Sequence, residues 1–188
     1  MTGQGQPSTP GSDVARGTVL IVFLSALAGS LVLLGGIFLG PLSKSLSKEG
    51  LASLVYAIYS PLCHQLPDRS FEFLGFPMTV CGRCLGIYAG FVAGTLLYPF
   101  FRGFGRLDLP RPRVFFVLIL PLAVDGLAGL LGLWETPTLV RSVTGFIWGG
   151  ILPFYFIPGV SSAILERKRP GRSAGREDLV IRPGKHIE

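Results

Sequence analysis

Residues 17–40, GTVLIVFLSALAGSLVLLGGIFLG, run for twenty-four positions without a charged side chain. At about 1.5 Å per residue, a helix of that length covers about 36 Å, enough to cross a hydrocarbon core of about 30 Å. Ala26-Leu27-Ala28 resembles a signal-peptidase site, but apolar sequence continues for a dozen residues beyond it. The run therefore reads as an uncleaved first transmembrane helix.

Similar runs recur downstream. Residues 85–101 are bracketed by Arg83 and Arg102, residues 114–134 contain one acid, Asp125, and residues 142–165 carry no charge before Glu166-Arg167-Lys168-Arg169. Residues 51–62 are apolar for only twelve positions and include Ser60-Pro61, so they are too short to span and read as an interfacial helix. Phe71, Phe73 and Phe76 suit either the headgroup zone or a cover over the core. In the second run Gly86, Gly90 and Gly94 recur every fourth residue, which leaves one helix face nearly bare backbone and predicts close helix approach.

Composition agrees. Of 188 residues 49% are hydrophobic and 15% charged, with a mean hydropathy of +0.55, against about a quarter charged in soluble domains. Intrinsic disorder of the whole chain is excluded, and an ordinary cytosolic enzyme is disfavoured. The expected fold is an all-α integral membrane protein: a four-transmembrane-helix bundle with an interfacial short helix and a Cys/His-containing external loop at 41–84. Residues 1–16 read as a disordered lead-in and 166–188 as a solvated basic tail.

A net charge of +6 and a pI near 9.6 invite a nucleic-acid reading, but the positions of the charges argue against it. Twelve of the seventeen Lys and Arg residues fall at Arg16, in 102–113 and in 167–185, just beyond apolar runs. Juxtamembrane cations set topology and meet anionic lipid. Placing both termini in the cytoplasm puts twelve cations inside and five outside, namely Lys44, Lys48, Arg69, Arg83 and Arg141. The expected partners are the bilayer of the cell membrane and anionic lipids, with no nucleic acid.

All three cysteines and one of two histidines lie within twenty-two residues: Cys63-His64, then Cys81-Gly82-Arg83-Cys84. His186, in the tail, reads as a bystander. A Cys-x-x-Cys turn presents two sulfurs to one ion, and a further thiolate and imidazole complete the tetrahedral set that zinc prefers. Adjacent Cys63 and His64 can share an ion only on irregular backbone, which Pro61 and Pro67 favour. Otherwise His64 supports a three-sulfur site whose open position admits a metal-activated water. The metal reading is thus Zn2+, or another soft divalent ion, on Cys63, His64, Cys81 and Cys84, structural or hydrolytic in role. The competing readings are a thiol–disulfide oxidoreductase using Cys81 and Cys84, and small cysteines merely packing. Arg83, between the two thiols, lowers their pKa under either functional reading.

Asp125 is the only acid within an apolar run, and such acids are expensive unless paired or wet. It suggests a small carrier as a further reading, although the paired broken repeats of transporters are missing. Reckoned from the apolar runs, the nearest cation, Arg141, lies about 13 Å shallower. A bend at Gly126, Gly129 or Gly132 would bring the two together. Asp125, Arg141, Arg83 and Arg69 are the candidate catalytic residues.

The stretches Cys63-His64-Gln65-Leu66-Pro67-Asp68-Arg69-Ser70-Phe71 and Cys81-Gly82-Arg83-Cys84-Leu85-Gly86-Ile87-Tyr88 resemble a family of small prokaryotic membrane proteins, domain of unknown function 2085. Asp125-Gly126 and Arg141-Ser142-Val143-Thr144-Gly145 strengthen the likeness, which covers roughly residues 50–155. Members often carry Gln shortly after Asp-Gly, where this chain has Leu127-Ala128-Gly129. The resemblance implies a membrane fold and marks these residues without supplying an activity.

Overall fold

The computed structural model describes residues 10–104, 107, 112–131 and 136–167. Five helices carry the fold: α1 (Pro10–Ser45), α2 (Glu49–Tyr59), α3 (Gly82–Arg102), α4 (Pro112–Leu130) and α5 (Thr138–Arg167). Between α2 and α3 lie a 3-10 turn at Pro67–Arg69 and a hairpin of β1 (Glu72–Phe73) and β2 (Phe76–Pro77). Leu74 and Gly75 form its two-residue turn, both at positive φ, as the right-handed twist of a tight hairpin requires. Among the described residues three helices, over Asp13–Ser45, Gly82–Arg102 and Thr138–Arg167, are long and apolar enough to cross a membrane.

Helix α1 begins earlier than the composition predicts, so residues 10–16 belong to it rather than to a disordered lead-in. Pro10 presets the φ of a first helical turn, and Asp13 meets the positive end of the helix dipole. At 36 residues it is about 54 Å long, so its ends project beyond any hydrocarbon layer. Helix α4 matches the expected third run up to Leu130, and residues 132–135 lie outside the described residues. Helix α2 is the expected short element: Ala52, Val55 and Tyr59 are buried while Leu51, Leu54 and Ile58 are exposed.

Among the described residues, α3 and α5 make the closest helix contact. A Cβ on Gly86 would collide with the Ser142 carbonyl, on Gly90 with that of Phe146, and on Gly94 with that of Gly150. Reciprocally, Gly145 lies against the Arg83 carbonyl and Gly149 against that of Ile87. The pairing advances in the same direction along both chains, so α3 and α5 are parallel. Helix α1 runs opposite to them. Its Val19, Val22 and Phe23 pack on Tyr98 and Ile157 near the ends of α3 and α5, whereas Ile37 packs with Tyr59, Cys63 and Val80 at their start.

Pro41 anchors α1 to the segment that carries the cysteines. A proline inside a helix has no N–H for the carbonyl four residues earlier, so the Ile37 oxygen lacks its helical donor. The fully buried Thr79 hydroxyl donates to it at 3.0 Å, and a Cβ at Gly40 would meet the Thr79 methyl. One turn earlier the Tyr59 hydroxyl donates to the Leu33 carbonyl at 2.5 Å, over the bare Gly36. Thr79→Val should therefore cost about 1–3 kcal/mol, the penalty for stranding a buried acceptor. Adding Pro41→Ala restores a backbone donor and should recover part of the loss in thermal melts. Equal melting of Thr79→Val and the unsubstituted protein would contradict this account.

Candidate metal centre

Two short stretches converge on one point. Cys63 follows the end of α2, where its N–H and that of Leu62 both donate to the Tyr59 carbonyl at 3.0 Å. Gln65, two residues on, has φ of 52° and turns the chain back, with its side-chain amide donating to the Tyr56 carbonyl at 2.7 Å. Cys81 is the N-cap of α3 and Cys84 lies in its first turn. The hairpin bridges the two stretches: Phe71 packs on the cluster around Cys63, and Phe73 meets Phe38 of α1 edge-on at 5.6 Å. The Phe71 ring therefore covers the core, whereas Phe73 and Phe38 meet at the exposed surface.

The three sulfurs lie within 4.8 Å of one another, with Cys63 buried and Cys81 and Cys84 half-buried, and all three are free thiols. The Cys63 sulfur accepts the Cys81 backbone N–H at 3.1 Å. Donation from the Cys81 and Cys84 thiols, and from the Cys81 and Gln65 amides, holds the Cys63 thiol far below the ordinary thiol range, outweighing burial, which pushes it up. The N-terminus of α3 adds its positive end to the same point. Three sulfurs this close, one of them favoured as thiolate by the donors around it, are a soft donor set suited to a zinc-like ion.

The cluster lies in a cavity of about 430 Å³. His64, Arg69, Arg83 and Arg141 line it, as do Leu62, Gln65, Leu66 and Gly126. His64 is exposed and stands beside the three-sulfur group rather than within it. Arg141 is 6% exposed, in the first turn of α5, and its Nε donates to the Thr136 carbonyl at 2.9 Å. A Cβ at Gly126 would lie 3.6 Å from Arg83 Nη1, so Arg83 reaches across to α4. Asp125 is on α4 next to Gly126, but its side chain, like His186, lies outside the described residues. The structure thus gathers the cysteines, His64 and all three candidate arginines at one cavity. The sequence reading passed over Gln65 and Gly126 as separate contributors, although both fall within the motifs quoted above.

Residues 63–155 match the family described as "Predicted membrane protein (DUF2085)". A protein of Methanocaldococcus jannaschii, described as "Uncharacterized protein MJ1492", is 37% identical over 141 residues, which is 72% of this chain and 90% of the relative. The chain belongs to this family. A second relative, described as "Uncharacterized protein" from Methanothermobacter thermautotrophicus, is 33% identical over 84 residues, or 45% of this chain and 74% of its own. No solved structure matches the chain. The family match opens at Cys63 and closes within α5, so it takes in every cysteine and all three cavity arginines, Arg69, Arg83 and Arg141, while α1 and α2 precede it.

Proposed function

We propose that this is a four-span protein of the cell membrane carrying an outward-facing zinc centre on Cys63, Cys81 and Cys84, and that the centre serves metal-assisted hydrolysis. The observation that carries the reading is the convergence of three sulfurs from separate parts of the chain beside an open cavity. Structural zinc sites are closed by four protein ligands, whereas catalytic ones keep a position open. Zinc bound in this way would lower the pKa of a coordinated water and polarise a substrate oxygen. Beside it, His64 would hold or release a proton at an imidazole nitrogen, and Arg69, Arg83 and Arg141 would orient an anionic group.

The fourth crossing rests on direction. Because α3 and α5 are parallel and Gly82 lies against Thr138, the chain from Arg102 to Thr138 must return along the length of α3, and α4 is the helix in that segment. Arg16, Arg102 and Arg167, at the start of α1 and the ends of α3 and α5, then share one face, opposite the cysteines. Cations favour the cytoplasmic side. A reporter cysteine at Lys44 should accept an impermeant reagent in intact cells, and one at Ser173 only after permeabilisation. The reverse pattern would invert the protein and move the centre into a reducing compartment.

Metal analysis of detergent-purified protein tests the centre itself. Close to one zinc per chain is expected, with Cys81→Ser and Cys84→Ser each losing it. The second reading, thiol–disulfide exchange, draws on the free thiols and the depressed Cys63. A metal-free preparation with a Cys81–Cys84 disulfide would select it instead.

A further inference from the structure

The cavity beside the cysteines has two kinds of wall. One side is cationic: Arg69, Arg83 and the buried Arg141 all line it. No acidic side chain lines it among the described residues. The Arg141 side chain donates through Nε to the Thr136 carbonyl, and a guanidinium has five N–H donors. Guanidinium groups gathered on one wall present a fork-shaped set of N–H donors to an anion.

The other side is apolar and continues out of the cavity. Leu62 and Leu66 line it yet are 58% and 45% exposed. Leu62 extends the exposed row of Leu51, Leu54 and Ile58 on α2, whose opposite face is buried against α1. The spacing of that row, at three and four residues, makes one continuous outward stripe. A helix buried on one face and apolar on the other is suited to lie in the bilayer interface. The cavity mouth therefore opens where headgroups meet acyl chains.

We infer that the cavity binds the anionic headgroup of a membrane amphiphile, with its phosphate or carboxylate among Arg69, Arg83 and Arg141 and its chain leaving over Leu62 and Leu66. A phosphate or carboxylate matches the planar forks of arginine, and an acyl chain matches the exposed leucines. This extends the metal reading by naming the substrate class beside the centre, and it rests on that reading only for what happens next to the bound headgroup.

Native mass spectrometry of the full-length, detergent-purified protein tests it, with zinc content measured on the same samples. The probes are dioctanoyl phosphatidic acid, dioctanoyl phosphatidylcholine and inorganic phosphate. Phosphatidic acid should bind at least tenfold more tightly than either of the others. Arg69→Gln, at a half-exposed position, should weaken it about tenfold, and Arg141→Gln should do the same if it folds. Leu66→Asn should weaken phosphatidic acid and leave phosphate unchanged. Phosphate binding as tightly as phosphatidic acid would make this a free-anion site and overturn the inference. So would equal binding of the two lipids. Zinc-loaded protein that ignores phosphatidic acid defeats this inference alone, and metal-free protein that binds it defeats the zinc reading alone.

Discussion

Gly90→Ala should destabilise the protein by about 1–3 kcal/mol or more, the range for overpacking a filled interior, while Gly29→Ala leaves it unchanged or slightly improved. Both substitutions place the same methyl group on a membrane helix. At Gly90 the new Cβ would strike the Phe146 carbonyl and lie 2.9 Å from the Gly150 nitrogen, both of them backbone. Backbone cannot rotate aside as a side chain does, so α3 and α5 must separate. Their separation breaks the contacts at Gly86 and Gly94 as well. At Gly29 nothing lies within 4 Å, and replacing a helical glycine by alanine gains about 0.5–1 kcal/mol. The measurement is the thermal midpoint of purified protein in one detergent, with Gly90→Leu as the extreme case, for which no folded protein should accumulate. Equal midpoints for Gly90→Ala and Gly29→Ala would mean that the two helices do not touch through their backbones.

That interface was half visible in the sequence. The four-residue spacing of Gly86, Gly90 and Gly94 marks a bare face on α3, but Gly145 and Gly149 sit in an apolar run with other glycines, and only the fold pairs the two sets. The apolar runs likewise announce the spanning helices, because lipid tolerates few charges, whereas helix ends depend on capping and tertiary contacts. Thus α1 gains about two turns by starting at Pro10 rather than Gly17, and α5 starts at Thr138 rather than at Ser142. The ends matter for the site. With α4 closing at Leu130, Asp125 is about 7.5 Å below that end of the helix, and Arg141 is about 4.5 Å along α5. Gly126, the chain neighbour of Asp125, lines the same cavity as Arg141. The cysteine cluster was legible as a spacing. The lowering of the Cys63 thiol was not, because it depends first on the Cys81 and Cys84 thiols closing on its sulfur, and then on the Cys81 and Gln65 amides.

Cys63→Ser should remove essentially all bound zinc, whereas His64→Ala should keep it. The two residues are adjacent in sequence but differ in placement. Cys63 is buried, accepts the Cys81 N–H at 3.1 Å and lies within 4.8 Å of both other sulfurs. His64 is exposed on the cavity wall. A serine hydroxyl in place of the thiolate supplies no charge, so the site would fall to two anionic donors, and the amides that serve Cys63 would exchange a charged acceptor for a neutral one. Removing His64 changes the wall and leaves all three sulfurs. The pH dependence provides an independent check. Protons compete with the ion for every ligand. Lowering the pH through the range where histidine titrates displaces an imidazole ligand, but Cys63, held below the ordinary thiol range, remains available to the ion. Zinc occupancy in the unsubstituted protein and in His64→Ala should therefore fall together as pH drops, with superimposable profiles. A His64→Ala protein that loses its ion, or whose profile shifts away from the parent's, would make His64 the fourth ligand. The centre would then be closed, and a structural role would replace the hydrolytic one.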